Sequence, residues 1–125
     1  MAGKIIADTL EHSTAGSIAT NYVVEGSAKA WVHWNGENTA SIRDSFNFAS
    51  LSDTGTGDYT FSYVTNQTDG TYSSVVSASR TSNAQGLIVS STTFNTGDID
   101  SIGINDGGAA EDTENGCLIV HGDLA

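Results

Sequence analysis

The sequence predicts one all-β domain, an antiparallel β-sandwich of jelly-roll-like or related type. Its 125 residues are rich in Ser, Thr, Gly, Asn and Asp, which suit turns and solvent-facing strand positions and are poor in helix interiors. The chain has no proline, so no strand is barred from the centre of a sheet. Short strand-like segments alternate with turn sequences, and no helical pattern recurs. These observations favour a sandwich over a parallel α/β sheet.

The chain divides into an N-terminal arm, residues 1–28, and a β domain, residues 29–125. Residues 7–28 show no clean period, with isolated apolar side chains at Leu10, Ile18, Tyr22 and Val23. We expect an extended or irregular arm that docks on another subunit or protein. A short helix around Ser17–Val24 is the alternative.

The first half of the β domain reads as three strands. Lys29–Trp34 ends at Asn35-Gly36, which predicts a hairpin turn with positive φ. Ser41–Leu51 follows as one strand, and the glycine-rich residues 53–58 predict a turn. The segment Tyr59–Tyr63 alternates aromatic with polar residues and has the clearest two-residue period in the chain. Within the second strand, one face is expected to hold Ile42, Phe46 and Phe48.

The second half continues with turns at Asn66–Gly70 and Asn95–Gly97 and a loop from Asn105 to Gly116. The predicted strands are Tyr72–Ser79, Gly86–Phe94, Asp98–Ile104 and Cys117–His121.

The net charge restricts the kinds of molecule that the chain can bind. The sequence has four basic and fifteen acidic residues, for a net charge of −11, and such a surface repels both phosphate backbones and anionic lipid. We therefore expect no nucleic-acid binding. No apolar stretch is long enough to span a bilayer, so no membrane insertion is expected, and the N-terminal apolar run is too short for a signal peptide. The chain is expected to fold in a cytoplasm.

The sequence offers little for catalysis, and we expect no enzyme activity, cofactor or metal. Cys117 and His121 lie four residues apart on one strand, about 13 Å, too far for a nucleophile and its base. Cys117 is instead predicted to be a small buried apolar residue. The acids that follow Asp98 match no calcium loop and are predicted to be a solvated loop, although carboxylate pairs become visible only in three dimensions.

The aromatic residues are expected mainly in the core or in a subunit interface. Trp31 and Trp34 fall on opposite faces of one strand, so one of them is available to a subunit or to a glycan. Arg43 lies in a strand that is otherwise poor in charge, and an ion pair between subunits is a hypothesis for it. The candidate interface or glycan-contact residues are Trp31, Trp34, Arg43 and Tyr63.

Three segments resemble a family of tailed-phage virion proteins known as tail fibre or tail fibre tip proteins. The first is Lys29-Ala30-Trp31-Val32-His33-Trp34-Asn35-Gly36, the second contains Ser41-Ile42-Arg43, and the third is the turn Asp53-Thr54-Gly55-Thr56-Gly57-Asp58-Tyr59-Thr60. The resemblance covers about residues 29–80.

The resemblance implies a β-rich virion component that assembles as a homotrimer with other virion proteins in the bacterial host. It implies a tail-fibre-type module exposed on the particle, with a host surface glycan as a candidate receptor. Because the arm is short where a fibre would have a shaft, a capsid decoration or cement protein is the alternative. A carbohydrate-active enzyme domain, with carboxylates in the acidic loops, is a third hypothesis.

Overall fold

The computed structural model describes residues 3–79 and 88–124. The expected all-β antiparallel sandwich is confirmed. The elements in chain order are β1 Thr9–His12, β2 Gly16–Ala19, α1 Thr20–Gly26, β3 Ala30–Asn35, β4 Ser41–Phe46, β5 Phe48–Gly55, β6 Asp58–Tyr63, β7 Ser73–Ser79, β8 Ile88–Phe94, β9 Asp98–Ile104 and β10 Asn115–His121.

Strands β3 to β10 form two four-stranded antiparallel sheets. Sheet 1 has the order β4-β3-β10-β7, and sheet 2 has the order β5-β6-β9-β8. The chain changes sheet between β4 and β5, between β6 and β7, between β7 and β8, and between β9 and β10. The last strand therefore lies in the middle of sheet 1, beside the first strand of the sandwich.

The core is aromatic and lies between the two sheets. The Trp34 ring contacts Tyr59 and Phe61, with centroids 6.0 and 4.8 Å apart, in edge-on arrangements that aromatic pairs favour. Phe48 stacks on Tyr63 at 4.9 Å. The buried apolar residues are Ala30, Val32, Trp34, Phe48, Tyr59, Phe61, Tyr63, Tyr72, Ile99, Leu118 and Val120.

The predicted single strand Ser41–Leu51 is wrong, because the chain turns from sheet 1 into sheet 2 at Asn47. Asn47 has φ +58°, a conformation that asparagine tolerates better than most residues. Its side chain stabilises the corner: Oδ1 accepts from the Thr65 amide at 2.7 Å, and Nδ2 donates to the carbonyls of Lys29 and Thr65. The amide of Val64 also donates to the Asn47 carbonyl.

The predicted shared face of Ile42, Phe46 and Phe48 is also wrong. The pairing of β3 with β4 shifts register between His33 and Trp34, which leaves Arg43 as an extra residue in β4. This bulge reverses the alternation, so Ile42 packs against the core while Phe46 is 52% exposed. Phe48 returns to the core after the corner.

The loop after β3 differs from the predicted Asn-Gly turn. Positive φ occurs at Asn38, at +60°, and the loop runs from Gly36 to Ala40. Glycine is required at 36 for a different reason, since a Cβ there would overlap the phenol ring of Tyr59. The tight turn of β5 and β6 falls, as predicted, in the glycine-rich segment, with Gly57 at φ +71°.

Several strands match their predicted bounds and faces. The alternation of Tyr59, Phe61 and Tyr63 is confirmed, since all three are buried and the residues between them are half-buried. Strand β9 coincides with the predicted segment Asp98–Ile104. The sequence predicts a strand Gly86–Phe94, and β8 corresponds to it from Ile88 onward. Gly86 and Leu87 lie outside the described residues.

Ahead of the sandwich, the segment expected to be an extended arm contains a β1–β2 hairpin and the helix α1. The alternative of a short helix near Ser17–Val24 corresponds to α1. Lys29, which is 8% exposed, holds the end of this helix: its Nζ donates to the carbonyls of Val24 and Ser27. At seven residues, α1 is too short to cross a bilayer, and no longer helix occurs in residues 3–79 and 88–124.

Candidate interaction surface

The outer face of sheet 1 carries a row of four apolar side chains. In the register of the sheet, Trp31 lies opposite Phe46 on one side and opposite Ile119 on the other. Ile119 in turn lies opposite Val75. The row therefore crosses all four strands; we call Phe46, Trp31, Ile119 and Val75 the apolar stripe. Side chains paired directly across strands are within contact distance, so the stripe is one continuous feature.

The stripe is open to solvent. Phe46 is 52% exposed, Trp31 37%, Ile119 41% and Val75 66%. Single exposed apolar residues are ordinary on a protein surface, whereas a contiguous set of large ones marks an interaction site. Trp31 thus occupies the outer face while Trp34, three residues later, is buried, as the strand alternation predicts.

The adjacent row on the same face is polar. His33 lies opposite Asp44 in β4 and Cys117 in β10, and Cys117 lies opposite Ser77 in β7. Cys117 is exposed, so the prediction of a buried cysteine is wrong. The strand periodicity explains the error, because Leu118 and Val120 take the inward positions of β10.

Arg43 reaches this polar row from the bulge in β4. Its guanidinium donates to the Oδ1 atoms of Asn115 and Asn35 and lies 3.3 Å from the Nε2 of His33. These contacts hold a cation beside the stripe. The bulge that aims it there was not visible in the sequence, since nothing in residues 41–46 departs from an ordinary strand pattern.

The candidate residues named from the sequence therefore separate into two groups. Trp31 and Arg43 lie close together on the outer face of sheet 1. Trp34 and Tyr63 are 0% and 6% exposed in the core, and burial raises the pKa of the Tyr63 phenol above its usual value. Their side chains are not presented on the surface of this chain.

The arm adds a second apolar region. A groove of about 680 Å³ joins Val23 and Val24 of α1 to Phe46 at the end of the stripe and to Leu124. A further groove joins the same two valines to Ile5, Ile6 and Leu10. Ile5 and Ile6 are 92% and 82% exposed, so nothing in the described chain covers this end of the arm.

The acids of the C-terminal third do not converge. Asp112 accepts from the Gly57 amide at 2.7 Å, and Asp100 accepts from the Thr60 hydroxyl at 2.6 Å. Both interactions link neighbouring strands or loops. Within residues 3–79 and 88–124, no group of three or more His, Cys, Asp or Glu side chains could hold a metal ion.

A polar cavity of about 380 Å³ lies at the end of the sandwich near Tyr72 and His121. It is bordered by the carboxylates of Asp69 and Asp123. The side chain of Gln67 forms part of its wall and is 1% exposed, and neither amide atom has a hydrogen-bond partner among the described residues. This arrangement could not be predicted from the sequence, because Gln67 stands in a predicted turn.

The fold and this surface define the chain as an antiparallel β-sandwich with one apolar outer face. Comparison with protein-family models, with curated proteins and with solved structures returned no match.

Proposed function

We propose that the chain is a structural protein of a tailed-phage virion, a tail-fibre-type module exposed on the particle. The observation that carries the proposal is the uncovered apolar arm and stripe, which in a chain of net charge −11 call for a protein partner. Assembly with copies of itself, as a homotrimer, and with other virion proteins would cover these residues. The resemblance of residues 29–80 to phage fibre proteins is the reason for placing that partner on a phage particle in this proposal.

Several residues of the resembling segments have structural roles in this fold. Trp34 fills the core, Gly36 makes room for Tyr59, and Gly57 makes the turn of β5 and β6. Attachment to a host surface glycan is a further role of the proposal, and it would use the Trp31 ring and the neighbouring Arg43 only where another subunit leaves them uncovered.

A capsid decoration or cement protein is the second candidate. The arm fits it, because residues 3–28 form a small hairpin and helix with exposed apolar side chains. Such an arm suits a contact with a neighbouring capsomer. In both candidates the arm mediates assembly, and the two differ in the position of the protein on the particle.

The test is immunogold electron microscopy of phage particles with antibody raised against the purified chain. Gold at the tail tip supports the fibre module, and gold over the head supports the decoration protein. Particles that carry no label, while a known virion protein is labelled in parallel, contradict the proposal.

Incubation with host lipopolysaccharide tests the attachment role and separates it from the enzyme hypothesis. Binding without change in glycan length supports attachment. Shortening of the glycan by the purified chain would instead indicate a carbohydrate-active enzyme.

A further inference from the structure

We infer that copies of this chain associate through the apolar stripe and the adjoining groove, with the same surface on each copy facing the others. The inference rests on the proposed function, since it names the surface by which a virion subunit would assemble. The observations that carry it are the continuity of the apolar surface and the placement of the basic residues.

The apolar surface is continuous from sheet 1 to the arm. Phe46 belongs both to the stripe and to the groove with Val23 and Val24. Those valines also line the groove that contains Ile5 and Ile6. A contiguous set of exposed apolar side chains marks an interaction site, whereas single exposed ones are ordinary on a protein surface.

Charge favours a second copy at this surface over any other approach of two copies. With fifteen acids against four bases, two chains repel each other across most of their surfaces. Two exposed bases border the apolar surface: Lys4 lines one groove, and Arg43 lies in the row beside the stripe. The buried Lys29 lines the other groove, with its ammonium hydrogen-bonded to α1. Asp44 and Asp123 lie here too, so this surface carries charges of both signs and can offer opposite charges to a second copy.

The opposite face of the sandwich has a different character. Sheet 2 presents Asp98 and Asp100 on β9, paired with Ser62 and Thr60 of β6. These positions alternate with the buried Ile99 and Ser101 and so face outward. An acidic, hydroxyl-rich face repels a second copy, and this leaves the apolar surface as the place where copies meet.

Cys117 provides a reporter for this contact. It is the single cysteine of the chain, it is exposed, and it lies in the row next to the stripe. Association through this face would shield its thiol from alkylating reagents. The same thiol would react freely in a dissociated chain.

The experiment is sedimentation velocity over a wide range of concentration, combined with the rate of Cys117 alkylation. The variants are Phe46→Lys and Val75→Lys, which change the two most exposed residues of the stripe and so disturb the fold least. The matched control is Ser52→Lys, which adds the same charge to an exposed position of sheet 2. Circular dichroism and thermal unfolding check that each variant is folded.

We expect the native chain to associate, more tightly as salt screens its net charge. Each stripe variant should weaken association by at least about tenfold and expose Cys117, as when an interface anchor is lost, while Ser52→Lys behaves as the native chain. A native chain that is monomeric at every concentration overturns the inference, and a different protein would then cover the surface. Association that the stripe variants leave unchanged also overturns it, but leaves the proposed virion role standing.

Discussion

The indole of Trp34 packs directly over the backbone of Gly116, its cross-strand partner in β10. A Cβ at position 116 would overlap three ring atoms of the tryptophan, so the largest core side chain depends on a residue without a side chain. The pair lies where sheet 1 packs on Tyr59 and Phe61 of sheet 2.

Gly116→Ala is therefore expected to destabilise the fold by about 2 kcal/mol or more, because the Trp34 ring or the strand must move in a close-packed core. The measurement is the free energy of unfolding by denaturant. Gly55→Ala is the control: a Cβ at Gly55 meets no atom within 4 Å, so its effect should stay within about 0.5 kcal/mol. Equal effects of the two changes would contradict the packing.

Lys29→Met is expected to loosen α1. The change removes the ammonium that donates to the carbonyls of Val24 and Ser27, and a lost charged hydrogen bond costs about 1–3 kcal/mol. The measurement is amide hydrogen exchange at Ser27, whose N–H donates to the Val23 carbonyl. Lys4→Met, at an exposed position, is the control. Unchanged exchange at Ser27 would show that Lys29 does not hold the helix.

The buried tyrosines of the core are expected to make the free energy of unfolding decrease at alkaline pH. Burial raises the pKa of Tyr59 from 10.0 to about 12, and burial also raises the pKa of Tyr72. Below pH 10 the phenol of Tyr59 is protonated in both folded and unfolded chains. Between pH 10 and 12 the unfolded chain releases the proton first, so stability falls as pH rises, by about 3 kcal/mol for Tyr59.

The measurement is the free energy of unfolding as a function of pH across this window. Tyr59→Phe removes one of the titrating groups, and the pH dependence should become shallower. The variant is also expected to be less stable at neutral pH, since the Tyr59 hydroxyl accepts from the Thr113 amide at 3.2 Å. A slope that Tyr59→Phe leaves unaltered would argue against a raised pKa at this residue.

Some of these features follow from the sequence. The period of Tyr59, Phe61 and Tyr63 placed β6 and its inward face, and the opposite faces of Trp31 and Trp34 follow from strand geometry. In such strands successive side chains point to opposite faces of the sheet, so the buried face can be predicted from the order of neighbouring residues.

The remaining features depend on pairing between distant strands. The bulge at Arg43 arises from the register of β4 against β3, and the corner at Asn47 from hydrogen bonds to Thr65 and Lys29. For this reason local alternation predicts the wrong face for Phe46. The stripe itself requires the order of sheet 1, in which β10 lies between β3 and β7 although it ends the chain.

Arg43→Ala is expected to weaken association of copies while changing stability by less than about 1 kcal/mol, because the side chain is exposed. Arg43→Lys keeps the charge but loses the planar fork that contacts Asn35 and Asn115, and an intermediate effect is expected. Sedimentation and thermal unfolding measure the two quantities. An oligomeric state and a stability that are both unchanged in Arg43→Ala would rule out a role for this residue between subunits.

The central proposal is that this chain is a component of a phage particle. Mass spectrometry of gradient-purified particles tests it most directly, with the host lysate as the background sample. We expect peptides of this chain to be enriched in the particles together with known structural proteins, in several copies per particle. Peptides that remain in the lysate and are absent from intact particles would contradict a virion role.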